Sequence, residues 1–187
     1  NPVAEAVAVR DGKFLEVGTV AEVMQHHGDG TKVVDLKGHT AIPGLNDSHL
    51  HLIRGGLNYN LELRWEGVPS LADALRMLKE QALRTPSPQW VRVVGGWTEF
   101  QFAERRMPTL DEINDAAPDT PVFILHLYDR ALLNRAALKV VGYTRDTPNP
   151  PGGEIQRDAN GNPTGMLIAR PNAMMLYATL AKGPKLP

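Results

Sequence analysis

Apolar positions along this chain follow two different rhythms, and the points where the rhythm changes mark its elements. The short runs Ala6-Val7-Ala8-Val9 and Phe14-Leu15-Glu16-Val17 flank Asp11-Gly12, a dipeptide suited to tight turns, and together predict a β-hairpin. Thr19 with Glu22 three residues later forms a capping box for a brief helix through Met24, which Gly28 and Gly30 end. A further strand is expected at Lys32–Leu36. Residues 40–53, TAIPGLNDSHLHLI, place Leu45, Asp47, His49 and His51 on one parity and Leu50 and Leu52 on the other, which reads as a strand or strand end. Side chains alternate across a strand, so Asp47, His49 and His51 would project from one face while the leucines pack behind.

From about Val68 the helical period takes over. Ser70 and Asp73 form a capping pattern, and Leu71, Leu75, Leu78 and Ala82 recur at helical spacing until Pro86, predicting a helix over 71–84. Trp90–Val94 reads as a strand running into Gly95-Gly96, and Thr109 with Glu112 caps a helix that stops near Pro118. Pro121–Leu127, PVFILHL, reads as a buried strand, and 131–141 as a helix capped by Gly142. A second hairpin follows, with Glu154–Arg157 and Thr164–Ala169 joined through Asp158 to Gly161. Pro171 suits the first turn of a last helix that carries Met174, Met175, Tyr177 and Leu180 and ends at Gly183.

Composition narrows the partners. With 42% hydrophobic and 22% charged among 187 residues, the chain is that of a globular protein. It is shorter than the roughly 250 residues of a complete (β/α)8 barrel. The 20 basic and 21 acidic residues leave a net charge of −1, with no like-charge block to attract nucleic acid or an anionic membrane. No apolar stretch reaches the roughly 18 residues that span a bilayer. Residue 1 is Asn rather than Met, which leaves room for a trimmed leader. The expectation is a cytoplasmic protein that takes a small-molecule substrate, contacts neither nucleic acid nor membrane, and is compatible with a homo-oligomer. The absence of cysteine leaves His, Asp and Glu as metal ligands.

The His49-x-His51 pair is where those ligands concentrate. Two imidazoles two residues apart on one strand face can place nitrogens on a single divalent ion at the roughly 2.0–2.1 Å that zinc requires. Asp47, on the same face, could orient one imidazole through its other ring nitrogen or supply an oxygen itself.

The segment Ile42-Pro43-Gly44-Leu45-Asn46-Asp47-Ser48-His49-Leu50-His51 resembles the amidohydrolase signature Pro-Gly-(Leu/Phe/Met)-x-Asp-x-His-x-His in every fixed position. That resemblance implies a (β/α)8 TIM barrel in which the motif ends the first strand, with His49 and His51 as metal ligands. The segments VRVVGGWTEFQF, Met107 to Glu112, PDTPVFIL, Asn134 to Leu138 and PGGEIQRDANGNPTGMLI are similar to the α+β segment inserted after the first barrel strand of the YtcJ-like amidohydrolases. The implied fold class is mixed α/β and α+β: residues 1–41 form part of a flanking β-sandwich, 42–67 the first barrel strand, and 68–187 an inserted α+β domain, with the barrel incomplete in this chain. The implied function is hydrolysis of a non-peptide C–N bond by metal-activated water, with one or two ions, zinc the expected one. The catalytic base belongs to a last barrel strand that this chain does not contain, so the 187 residues alone are expected to be inactive. The alternatives are a non-catalytic binding module derived from the family, or a metal hydrolase acting on another bond such as a lactone. Where relatives commonly show Gly-His before the Asn-Ser-x-Ala-Leu helix, this chain has Tyr128-Asp129, so Asp129 stands in place of that His.

Other residues divide between chemistry and packing. Trp97 and Glu99, after Gly95-Gly96, are candidates to line a substrate site, against the plainer role of Trp97 and Phe100 closing a core. Arg64 and Trp65 are open between facing a substrate and packing a loop. His26-His27 reads as a solvated surface pair, His39 as a turn residue, and His126 as a hydrogen-bonded core histidine. Met174, Met175 and Tyr177 read as core.

Overall fold

The computed structural model describes residues 3–186, with Arg54 through its backbone alone, as two compact units that divide between Ser48 and His49. In the first unit, β1 (Ala6–Arg10) and β2 (Lys13–Gly18) pair antiparallel about Asp11 and Gly12, whose φ values of 50° and 73° suit the reversal. The expected capping box starts α1 (Val20–Val23): the Glu22 carboxylate accepts the Thr19 N–H at 2.8 Å while Thr19 Oγ1 accepts the Glu22 N–H at 3.3 Å. A single 3-10 turn, Met24–His26, continues it.

Two strand expectations fail in the stretch that follows. Lys32–Leu36 and residues 40–51 form no strand among the described residues, and the chain there is exposed throughout. A strand needs a ladder of partners for its backbone N–H and C=O groups, and neither segment has one, so alternation of side chains alone does not make the element. At the start of the second unit the chain instead turns directly after His51 into α2 (Leu52–Leu57).

The second unit is built on a five-stranded sheet. α3 (Leu71–Arg84) forms where its apolar spacing predicts, burying Leu71, Ala74, Leu78 and Ala82 along one stripe. Its first-turn N–H groups are taken by two side chains: Ser70 Oγ accepts from Asp73, and the Glu104 carboxylate accepts from Leu71 at 2.8 Å. β3 (Val91–Val93) runs parallel to β4 (Val122–His126), and between them lies α4 (Leu110–Ala116), started by a complete Thr109/Glu112 capping box. β5 (Arg130–Leu133), α5 (Arg135–Val141), β6 (Gly153–Arg157), β7 (Pro163–Ala169) and α6 (Met174–Leu180) complete the unit, with sheet order β3-β4-β5-β7-β6.

Two boundaries differ from the sequence reading. Residues 131–133 extend no helix; they pair with β4 and β7 as strand β5 because Ala131, Leu132 and Leu133 are all buried, and a short apolar run takes its period from the sheet that covers it. The helix begins only after Asn134, whose Oδ1 accepts the Ala137 N–H at 2.9 Å, and it ends at Gly142 in the left-handed conformation as expected. The last helix starts at Met174 rather than beside Pro171, with Asn172 Oδ1 accepting the Met174 N–H at 3.0 Å.

β4 is buried along its whole length because both faces of the sheet are covered. Val122, Ile124 and Leu132 join Leu78, Ile113, Trp65, Trp97 and Phe102 on the α3/α4 side. Phe123, Leu125, Ala131 and Leu133 join Ala137, Val141, Met175 and Leu176 on the α5/α6 side. At the sheet's β3 end, Leu63 forms an isolated parallel bridge with Val93. At the β6 end, Asn149 Oδ1 accepts the Ile155 N–H at 3.0 Å and Arg157 Nη1 donates to the Ile155 carbonyl at 2.7 Å.

Candidate metal centre and the hairpin beside it

His51 is the residue from which α2 springs: its carbonyl accepts the Gly55 N–H at 2.8 Å, and Gly55's own carbonyl accepts from Arg64 Nη2 at 2.9 Å. Arg64 also pairs with Glu62 at 2.8 Å and lies over the Tyr59 ring, so it fastens the start of this unit to the sheet edge at Leu63. Of the two roles open to Arg64, the contacts it makes are packing contacts. Trp65 is fully buried.

His49 and His51 are exposed, and their Nε2 atoms lie 3.0 Å apart with ring centroids separated by 5.0 Å. Two imidazole nitrogens bound tetrahedrally to one zinc ion at about 2.0–2.1 Å lie about 3.3–3.4 Å from each other. The pair therefore already has the bite of a shared divalent ion to within a few tenths of an ångström. Without an ion the same spacing is an N–H···N hydrogen bond, with one ring as donor and the other as acceptor. The described residues hold no group of three or more His, Asp or Glu side chains that could surround a metal. Asp47 is exposed and lies in the first unit.

The β4–β5 hairpin rises beside His51: the Tyr128 ring centroid is 6.3 Å from the His51 ring. Beneath the hairpin tip, buried His126 faces two carboxylates, with Nε2 2.8 Å from Glu99 Oε2 and Nδ1 3.2 Å from Asp129 Oδ1. A neutral ring donates to one of them; a doubly protonated ring donates to both. Burial pushes the Glu99 carboxyl up, but its own backbone N–H and the bond to His126 outweigh that and hold it below its ordinary range. Burial likewise raises Asp129, and the hydrogen bonds from Arg130 and His126 bring it below its ordinary value. Trp97 packs edge-on against the His126 ring, is fully buried, and donates its indole N–H to the Leu125 carbonyl at 2.9 Å. Of the two expected substrate-lining residues, Trp97 thus has no open face, while Glu99 is tied to His126. Phe100 is exposed, and Phe102 takes its place in the core.

A profile described as "Amidohydrolase family" matches residues 32–186, a span that contains the His pair, Glu99 and the whole sheet. The chain belongs to the amidohydrolase family. Among curated relatives, the chain is 36% identical over 168 residues to Protein LONG AFTER FAR-RED 3 of Arabidopsis thaliana, covering 89% of this chain and 28% of that one. It is 35% identical over 176 residues to the putative amidohydrolase YtcJ of Bacillus subtilis (strain 168), covering 93% of this chain and 33% of the relative. It is 34% identical over 170 residues to the N-substituted formamide deformylase of Arthrobacter pascens, covering 90% of this chain and 31% of the relative. The chain thus spans about a third of the length of the curated relatives it matches.

The His pair is legible in the sequence because both imidazoles lie within three residues. His126 is legible there as a core histidine, without its partners. The Asp129 contact was within reach of the sequence, since a turn between His126 and Asp129 returns the second side chain to the first. The Glu99 contact joins positions 27 residues apart and leaves no local signal. No helix among the described residues is long and apolar enough to cross a membrane.

Proposed function

We propose that this chain contributes metal ligands and an α+β domain to a longer, metal-dependent amidohydrolase that cleaves a non-peptide, amide-like C–N bond of a small molecule. The observation that carries the reading is the 3.0 Å separation of the His49 and His51 Nε2 atoms, close to the bite of one divalent ion. Family membership and a relative named for deformylating N-substituted formamides favour a C–N bond over a lactone or phosphoester. The finer architecture belongs to the same proposal: a (β/α)8 barrel in which strands of the longer protein would supply the ladder partner that residues 42–51 lack among the described residues, and a β-sandwich built in part from residues 1–41.

Each histidine would present a neutral Nε2 lone pair to the ion and keep its proton on Nδ1. A bound divalent ion, zinc by the nitrogen donor set, lowers the pKa of water and polarises a carbonyl. The chain's own part is to set His51 at the start of α2, where its carbonyl accepts the Gly55 N–H and Arg64 holds the Gly55 carbonyl, with the His49 Nε2 atom 3.0 Å from that of His51.

The test is metal analysis with turnover of the full-length gene product and of His49→Ala and His51→Ala variants. The expected result is bound divalent metal in the parent, at least tenfold weaker metal affinity in each variant, and loss of amide hydrolysis in both. Unchanged metal content in the double variant overturns the assignment of the pair. Metal binding without hydrolysis of any amide favours the non-catalytic binding module.

A further inference from the structure

Leu127 and Tyr128, adjacent residues at the tip of the β4–β5 hairpin, both have left-handed backbone, with φ of 45° and 72°. A residue with a Cβ pays about 1–2 kcal/mol in that region, whereas glycine adopts it freely. Burial of the two side chains does not offset this, since they are 48% and 50% exposed. The backbone is nevertheless fixed from several sides. The Asp129 N–H donates to the His126 carbonyl at 3.2 Å, the Asp129 carbonyl accepts the Ala169 N–H at 2.8 Å, and His126 is anchored to Glu99. The hairpin turn itself demands positive φ at both positions, where Asn or Gly is the usual choice, so it is the presence of a leucine and a tyrosine there that points to a use for the side chains displayed.

What Tyr128 displays is an aromatic ring between two others. Its centroid is 6.3 Å from the His51 ring at an interplanar angle of 33° and 6.5 Å from the Tyr177 ring at 45°. The three rings are tilted against one another, and the exposed half of the Tyr128 side chain leaves part of its surface open.

We propose that Tyr128 is a specificity-determining residue: its ring forms the apolar wall of a substrate subsite beside the His49–His51 pair, selecting amides that carry an aryl or similarly flat apolar group. This rests on the proposed amidohydrolase function, but binding and turnover separate the two. The probes are acetanilide and N-methylacetamide, which share the amide and differ in the ring. In the full-length protein, calorimetric titration of the wild type, Tyr128→Gly and Tyr128→Phe gives three dissociation constants for each probe. Losing one aromatic wall is expected to weaken acetanilide binding about tenfold in Tyr128→Gly and leave N-methylacetamide unchanged. Tyr128→Phe retains the preference. Thermal unfolding of Tyr128→Gly is expected at the same or a higher temperature than the wild type, because the strain at position 128 is relieved, which excludes misfolding as the cause. Equal acetanilide affinity in the wild type and Tyr128→Gly, equal weakening for both probes, or no measurable acetanilide binding by the wild type overturns the proposal. Intact ring selectivity with no hydrolysis of either amide supports the wall and counts against the proposed reaction.

Discussion

Asn134 shows how much of the second unit can hang on one buried amide. Its Oδ1 accepts from the Val122 N–H at 3.0 Å and the Ala137 N–H at 2.9 Å, and its Nδ2 donates to the carbonyls of Ala117 at 2.7 Å and Thr120 at 2.9 Å. One side chain therefore ends α4, starts β4 and caps α5. Replacing Asn134 with Asp keeps the shape but turns two donors into an acceptor facing two carbonyls in a fully buried site. The expected loss is about 3–5 kcal/mol, read by denaturant unfolding. A second residue-scale case is on the surface. The Arg106 guanidinium, at 2.7 and 2.8 Å, lowers the Glu112 carboxyl to about 2, and the Thr109 cap adds to this. A carboxyl held below its unfolded value stabilises the fold above that value and stops doing so as pH falls through the folded one. Arg106→Ala is expected to unfold at a lower temperature at pH 7, with the gap to wild type closing as the pH drops from about 4.5 to 2. Glu112 was legible as a cap from its spacing to Thr109, whereas Arg106 was not, because the pairing depends on the loop path before α4.

At the scale of elements, those with local chemistry formed as the sequence predicts. α3 has its apolar stripe and a Ser70 cap; both hairpins have their turns; α4 has its capping box. Ser70→Ala is expected to cost about 1 kcal/mol of stability by thermal or denaturant unfolding, since it removes the acceptor for the Asp73 N–H while Glu104 still serves Leu71. What the sequence misread were elements whose identity depends on a partner. Alternation at 40–53 suggested a strand, but no ladder partner meets it, and the same His pair stands instead at the entrance to α2. The run at 131–133 suggested helix, and two flanking strands made it β5. The His pair survives the loss of its predicted strand because two residues separated by one position stay close in many backbone conformations.

For the whole molecule, a sheet built from two hairpins and one parallel pair leaves two edges, and each is finished differently. β3 is only three residues long and is met by Leu63. β6 is longer, yet the outward N–H and C=O of Ile155 are already taken by Asn149 and Arg157. Unpaired edge groups invite strands from other molecules, so these two side chains act as a guard against edge-to-edge association. Asn149→Ala is expected to reopen a bonding row on β6: the variant keeps its secondary structure but self-associates at concentrations where the parent stays dispersed, as light scattering and a β-fibril dye will show. A polar residue in a proline-rich loop, remote from the histidines and silent in any assay of turnover, would then set the concentration at which the protein can be kept in solution.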